Sequence, residues 1–473
     1  MEGDPGTEIA GLTADSRKAG PGMLFAALPG TKIDGTAFAA AAVAAGAAAV
    51  LVPEGAVVEG LGSAAVLRDT DTRRRLALMA ARFFGRQPET MVAVTGTAGK
   101  TSIASFVRQI WQAAGHASAA VGTLGVTTAA GTRYGSLTTP DPIRLREILA
   151  ELAGAGITHA AMEASSHGLD QRRLDGVRLK AAAFTNLGRD HLDYHSDAED
   201  YFRAKLRLFD TLLEPGATVV VDADEPYADR VAAVARARGL TLMTVGEAGS
   251  DLRLVSIERD GHRQHLEIEA AGRRHAVLLP LVGRFQVSNA LVAAALAIAT
   301  GVLPEAALGA LAGLEGAEGR LDFVGATAEG APCFVDYAHK PEALEKALAA
   351  VRPFADRRLV VVFGAGGDRD RGKRPVMGGI AAAGADVVIV TDDNPRSEEP
   401  AAIRAAILGA APGAMEIGDR REAIRAGVAM LGAGDVLLVA GKGHETGQIV
   451  GETVLAFSDH EEVAKALRDR EGR

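Results

Sequence analysis

Met91-Val92-Ala93-Val94-Thr95, running into Gly96-Thr97-Ala98-Gly99-Lys100-Thr101-Ser102, is the stretch that decides the fold. An apolar, β-branched run handing over through two glycines to a helical pattern predicts a strand, a tight loop and a helix beginning near Ser102. Glycines permit close backbone approach, so the loop N–H groups and the helix N-terminus can cradle phosphate oxygens. In that reading Gly96, Thr97, Ala98 and Gly99 form the cradle and Lys100 reaches the outer phosphates. A hydroxyl from Thr101 or Ser102 serves Mg²⁺, a hard cation that takes oxygen ligands. Val94 stands where the G-x-x-x-x-G-K-[ST] pattern has its first glycine, so the loop is shorter than that of motors and GTPases, and those readings weaken.

Outward from this loop, short apolar runs alternate with amphipathic helical patterns over most of the chain, the signature of parallel sheets with helical crossovers. The fold class is α/β. Its 473 residues correspond to roughly three domains at about 150 residues each. Boundaries are read after Arg86-Gln87-Pro88 and at the glycine-rich 313–319, giving domains 1–88, 89–320 and 321–473. The last series has strands at 333–335, 359–363, 386–390 and 436–439, with helices at 341–351 and 420–431. The alanine-rich 37–52 is too short to span a bilayer and reads as a buried helix running into a strand.

The net charge of −9 excludes the broad basic field of a nucleic-acid binder, so an anionic ligand needs a local site. The single cysteine, Cys333, has no partner for an internal disulfide and fits a reducing compartment. The amino terminus lacks the charged and apolar regions of a signal peptide, and a cytoplasmic protein without membrane association is expected.

Further motifs narrow the reading. Asp15-Ser16-Arg17, Thr138-Thr139-Pro140, Glu163-Ala164-Ser165-Ser166-His167-Gly168-Leu169, Asn186-Leu187-Gly188-Arg189-Asp190-His191-Leu192-Asp193-Tyr194-His195 and Asp336-Tyr337-Ala338-His339 accompany the loop in this order. With Thr95 to Ser102 they resemble the Mur ligase family over nearly the whole chain. Ala98 replaces the asparagine often found in that family's loop, and Lys340 stands where threonine is common.

The resemblance implies three domains: a smaller N-terminal α/β domain binding a uridine-diphosphate substrate, a central P-loop-type ATP-binding domain and a C-terminal Rossmann-like domain binding an amino acid. It implies a cytoplasmic, ATP- and Mg²⁺-dependent ligase of peptidoglycan precursor synthesis that is a monomer. Its substrate would be UDP-N-acetylmuramoyl-L-alanyl-D-glutamate, activated as an acyl phosphate.

Glu163, at the end of the apolar 157–162, and His191 match the family's Mg²⁺ ligands, together with Thr101. Lys205 alone reads as a solvated charge; the family places a carbamylated lysine (N6-carboxylysine) there, a metal ligand in place of a cation. Asn289, Arg320, Asp336 and His339 match further nucleotide contacts. Read without the family, Asn289 is a helix cap and Asp336 a strand-end turn residue. Ser16, Thr31, Lys32 and Ile33 match the uridine-diphosphate contacts, and Thr138, Thr139, Ser165, Gln171 and Arg173 those to the muramoyl dipeptide.

Asp393-Asn394-Pro395-Arg396 matches the family's signature for adding meso-diaminopimelate. An arginine fork binds a carboxylate bidentately, and diaminopimelate carries one at its far end where lysine has none. Arg369, Gly441 and Glu445 complete the pocket in the family's pattern, with Glu445 suited to the distal ammonium. Two related activities stay open, a lysine-adding Mur ligase and a folylpolyglutamate synthase-like ligase. A nucleotide-binding regulator is the alternative from another class.

Overall fold

The computed structural model describes residues 2–30, 34–135, 137–188, 190–191, 194–260 and 263–472. Both of its compact units are α/β, Met1–Ser250 with Ala295–Leu303, and Asp251–Ala294 with Pro304–Arg473.

The first unit holds a four-stranded parallel sheet, ordered Gly11–Thr13, Met23–Ala26, Ala49–Pro53 and Ala65–Asp69. The alanine-rich 37–52 feeds it through the short helix Ala39–Ala44 into the strand Ala49–Pro53; the helix buries only Ala39 and Ala42 and leaves Ala40, Ala41 and Ala44 exposed, so it is a half-exposed helix rather than the buried one expected. Its larger sheet sets Thr241–Gly246, Thr218–Asp222, Ala181–Phe184, Thr90–Thr95, His159–Glu163 and Ser118–Gly122 side by side and parallel. Gly125–Thr128 and Gly131–Arg133 extend it antiparallel. Met91, Val92, Ala93 and Val94 are all fully buried, because a parallel strand packed on both faces reads as a continuous apolar run. Each such valine or leucine contributes about 1.5–3 kcal/mol on burial. The helices follow local chemistry: Asp141 caps Pro142–Gly154 by accepting from the Ile143 and Arg144 N–H groups, with Pro142 in the first turn.

The second unit has an antiparallel meander, Leu252–Asp260, Arg263–Ala270 and Arg273–Leu279. Its six-stranded sheet is ordered Asp322–Ala326, Pro332–Asp336, Val436–Ala440, Leu359–Phe363, Val387–Val390 and Met415–Glu416. The first pair is antiparallel and the rest parallel. A small hairpin, Gly447–Val450 with Thr453–Ala456, stands beside it. In sheets of this kind ligands gather beyond the carboxyl ends of the strands. No helix among the described residues is long and apolar enough to cross a membrane.

Candidate functional site

Strand Thr90–Thr95 delivers the glycine loop to the carboxyl edge of the first unit's large sheet. Gly96 has φ +145°, and a Cβ there would overlap Thr185 Oγ1, so only glycine lets loop and strand end approach this closely. Gly99, left-handed at φ 87°, reverses the chain so that the helix Lys100–Ala113 begins at Lys100, two residues earlier than the sequence pattern placed it. Asn186 braces the loop from the neighbouring strand end. Its carbonyl accepts the Thr97 N–H at 2.9 Å and its Oδ1 the Ala98 N–H at 3.0 Å.

Two lysine side chains converge on one carbonyl. Lys100 Nζ and Lys205 Nζ each donate to Gly96 O at 2.8 Å, and Lys100 also donates to Thr97 O at 2.9 Å. Lys205, from the helix Ala198–Arg207, is 1% exposed and lies 4.3 Å from the centre of the Tyr201 ring. It is therefore no solvated surface charge. Burial, reinforced by the positive charge of Lys100 and opposed by Asp190, pushes its amine well below the ordinary lysine range. The Tyr201 hydroxyl meets Thr97 Oγ1 at 3.2 Å, and burial pushes that phenol up to about 12.

Glu163 ends its strand as the sequence predicts and is buried beside the loop strand, in register with Val94. Thr123 holds its carboxylate, N–H to Oε1 at 2.7 Å and hydroxyl to Oε2 at 3.2 Å. The dipeptide candidates assemble around it. Thr138 Oγ1 meets Thr123 Oγ1 at 3.0 Å, and Thr139 Oγ1 donates to Glu163 O while accepting from the N–H and hydroxyl of Ser165. Arg173 donates to Thr139 O at 2.6 Å and to Gln171 Oε1 at 2.8 Å. His191 takes a left-handed φ of 54°, with Nε2 3.5 Å from Asp190 Oδ2 and its ring edge-on to His167. Arg189, Leu192 and Asp193 of this motif lie outside the described residues.

Ser16 opens a short 3₁₀ turn, Ser16–Lys18. With Asp15, Arg17, Phe25, Leu28 and Phe38 it lines a cleft of about 440 Å³, within the range of small-molecule sites. Thr31, Lys32 and Ile33, assigned to the same substrate, lie outside the described residues.

In the second unit a polar chain links the nucleotide candidates. Asn289 Nδ2 donates to Gln286 Oε1, and Gln286 Nε2 to Arg320 O. Arg320 lies 5.0 Å from the centre of the Tyr337 ring, and His339 Nδ1 meets Tyr337 O at 2.9 Å. Asn289 sits inside the helix Arg284–Ala299 rather than at a cap. Asp336 ends its strand half-buried, and desolvation pushes its carboxyl up to about 6 against the opposing charge of Arg320 and the Leu321 N–H bond at 2.7 Å.

The amino-acid candidates form a second cluster past the ends of Val387–Val390 and Val436–Ala440. Asn394 Nδ2 donates to Glu445 Oε2 at 2.8 Å, and Lys442 Nζ reaches both that oxygen and Asn394 Oδ1, at 2.9 and 3.1 Å. Gly441 has φ +121°, and a Cβ there would stand 2.6 Å from Asp393 Oδ2. Arg396, left-handed at φ 52°, donates from Nη1 to Gly367 O at 2.9 Å; its N–H binds Ile449 O and its carbonyl accepts from Gly451. Pro395 is buried. Arg369 lies on the exposed loop, with Nη1 3.4 Å from Asp368 O.

Sequence reasoning missed Thr123, Lys442 and His444. A lysine between two glycines directly after an apolar run was the available signal for Lys442. His444 packs on Tyr337, and burial with the charge of Arg320 lowers its imidazole to about 4.

Comparison with known proteins agrees with these motifs. Family profiles match residues 94–297 as Mur ligase middle domain, 319–443 as Mur ligase, glutamate ligase domain, and 8–83 as Mur ligase family, catalytic domain. A UDP-N-acetylmuramoyl-L-alanyl-D-glutamate–2,6-diaminopimelate ligase of Mesorhizobium japonicum is 61% identical, covering 98% of this chain and 96% of its own. The protein of that name from Agrobacterium fabrum is 60% identical over 98% and 94%. A solved structure bearing the same name superposes with a TM-score of 0.73 at 34% identity, covering 98% of this chain and 95% of the other. On fold, motif geometry and full-length likeness together, the chain belongs to the Mur ligase family.

Proposed function

We propose that this protein joins meso-2,6-diaminopimelate to the D-glutamyl γ-carboxylate of UDP-N-acetylmuramoyl-L-alanyl-D-glutamate, consuming ATP and forming ADP and phosphate, as a step of peptidoglycan precursor synthesis. The observation carrying the reading is the join between Asn394, Glu445 and Lys442 beside Arg396. The Glu445 carboxylate bonds Asn394 and Lys442, and Arg396 Nη1 lies 3.5 Å from the Asn394 carbonyl, so a carboxylate and a guanidinium are available for a substrate with a distal ammonium and a distal carboxylate. Full-length relatives carrying the diaminopimelate name support the same choice over lysine.

Amide formation from a carboxylate and an amine in water is uphill, so the carboxylate is first phosphorylated by ATP and the amine then displaces phosphate. This chain's residues supply position and charge. The Gly96 loop and the helix N-terminus at Lys100 receive the triphosphate, and Lys100 brings a positive charge to it. Thr139, Ser165, Gln171 and Arg173 hold the dipeptide arm beside Glu163. Arg320 and His339, with Asn289 and Asp336, serve the nucleotide, and Arg396, Asn394, Asp393, Arg369, Gly441 and Glu445 the amino acid.

The donor set fits Mg²⁺. Thr101 and Glu163 offer hard oxygens, His191 an imidazole, and Lys205 a carboxylate once carbamylated, for which a buried amine of lowered basicity is the appropriate precursor. Held by these residues, Mg²⁺ would offset the negative charge of the triphosphate and of the carboxylate it phosphorylates.

Three domains, 1–88, 89–320 and 321–473, are part of this reading; the family profiles, each within about ten residues of starting at these boundaries, support it. So are a cytoplasmic location and a monomer. Incubation with ATP, the UDP-muramoyl dipeptide and diaminopimelate, followed by mass spectrometry, should give the dipeptide nucleotide extended by one diaminopimelate residue. Equal use of lysine, or ATP turnover indifferent to both co-substrates, would overturn the assignment.

A further inference from the structure

Arg420 and Asp459 form a bidentate ion pair, Nε to Oδ1 and Nη2 to Oδ2 both at 2.7 Å, with both side chains wholly buried. Arg420 opens the helix Arg420–Ala429 and Asp459 the helix Asp459–Arg470. A pair so completely withdrawn from water is a poor stability device, because the desolvation of two charges offsets most of their attraction and apolar replacements of similar volume are often neutral or stabilising.

What the guanidinium has left over is directed at two places. Nη2 donates to Ala440 O at 3.0 Å, and Nη1 lies 3.5 Å from Asp392 O. Ala440 directly precedes Gly441, which opens the Gly441–Glu445 segment; Asp392 directly precedes Asp393 and the Asn-Pro-Arg turn. Ala440 ends one strand and Asp392 follows the end of another, and these strands are not neighbours, since Leu359–Phe363 lies between Val436–Ala440 and Val387–Val390. Only a long, forked cation reaches both. Arg420 Nη2 is also 3.8 Å from the place where a Gly441 Cβ would be, and 2.6 Å from that same point lies Asp393 Oδ2, a buried oxygen with no hydrogen-bond partner among the described residues. The positive charge of Arg420 acts on both Asp393 and Glu445.

We propose that Arg420, locked by Asp459, is a positioning residue that fixes the spacing between the Asp393–Arg396 turn and the Gly441–Glu445 segment and so sets affinity for the incoming amino acid. This deepens, and rests on, the reading of that cluster as the diaminopimelate pocket.

The test uses the full-length protein in three forms: native, Arg420→Lys, and Arg420→Met combined with Asp459→Leu, which removes both charges while keeping the volume. Expected in the double variant is a KM for diaminopimelate raised at least about tenfold, since a displacement near 1 Å suffices for such losses. The kcat and the KM for ATP should stay within about threefold, the pattern of lost binding rather than lost chemistry. Arg420→Lys, with charge but no fork, should show the same change at smaller size, and faster amide exchange at 393–396 and 441–445. Native KM values in both variants with native exchange would overturn the proposal. If the double variant does not fold, Arg420→Lys alone decides by the same criteria. A native enzyme that makes no product from diaminopimelate overturns the functional reading instead, and the exchange rates of the variants then decide the positioning role.

Discussion

The ammonium of Lys442, wholly buried, lies 2.9 Å from Glu445 Oε2, the same oxygen that receives Asn394 Nδ2. The carboxylate assigned to the substrate's distal ammonium is thus already oriented and half neutralised from inside the fold. Replacing Lys442 by methionine keeps the bulk and removes three donors. Glu445 and Asn394 lose their shared partner, and an expected cost of about 1–3 kcal/mol should appear as a lowered urea midpoint, accompanied by weaker diaminopimelate binding. An unmoved midpoint would show that Lys442 is dispensable to the cluster.

Arg396→Ala should raise the KM for diaminopimelate by about two orders of magnitude, the loss of a charged bidentate partner, and narrow the preference over lysine. Competition between the two amino acids in one reaction reads this directly. A preserved preference would move selectivity to another residue.

Gly96→Ala puts a methyl group onto Thr185 Oγ1 at a φ that L residues rarely adopt. Strand end and loop must separate, so nucleotide binding should fall by at least about a hundredfold by calorimetry. Full affinity in this variant would mean that the cradle lies elsewhere.

Lys205→Ala removes the buried amine beside Gly96 O. Most turnover should be lost, and acetate or another short carboxylic acid should partly restore it by supplying the missing oxygens. Unchanged turnover without the acid would rule out a carbamate there.

His460 Nε2 lies 2.9 Å from Asp322 Oδ2. Burial lowers the imidazole pKa, but the hydrogen bond to Asp322 and that carboxylate's charge outweigh it, leaving a net rise above 6.5. A raised histidine stabilises the fold fully below the unfolded value, and the benefit is lost as pH climbs through the folded one. His460→Gln should therefore cost about 1 kcal/mol at pH 5.5 and much less at pH 9, by denaturant midpoints. An equal cost at both pH values would show that the pair contributes no proton linkage.

Much of this was legible because it is local. The apolar run before Gly96, the strand-end position of Glu163 and the Asn-Pro-Arg turn after Val387–Val390 each follow from neighbours in the chain. The helix start at Lys100 was misplaced by two residues because a left-handed Gly99, invisible in an apolar pattern, sets it. Lys205, Lys442, Arg420 and Asp459 defeat a composition-based reading, since charged residues are nearly always solvated. Their burial is created by partners 109, 48 and 39 positions away for Lys205, Lys442 and Arg420 respectively. The residues that brace a site from a distance, such as Thr123 on Glu163, carry no local signature at all.

Both main-chain polar groups of Arg396 are spliced onto the hairpin Gly447–Val450 and Thr453–Ala456, through Ile449 O and the Gly451 N–H. That hairpin is a surface appendage whose Val454 and Leu455 face water, outside the main cores. The guanidinium proposed to discriminate among amino acids therefore rides on an external splint. Changes in the length or twist of this outrigger can retune substrate choice while the load-carrying sheet beneath it stays as it was.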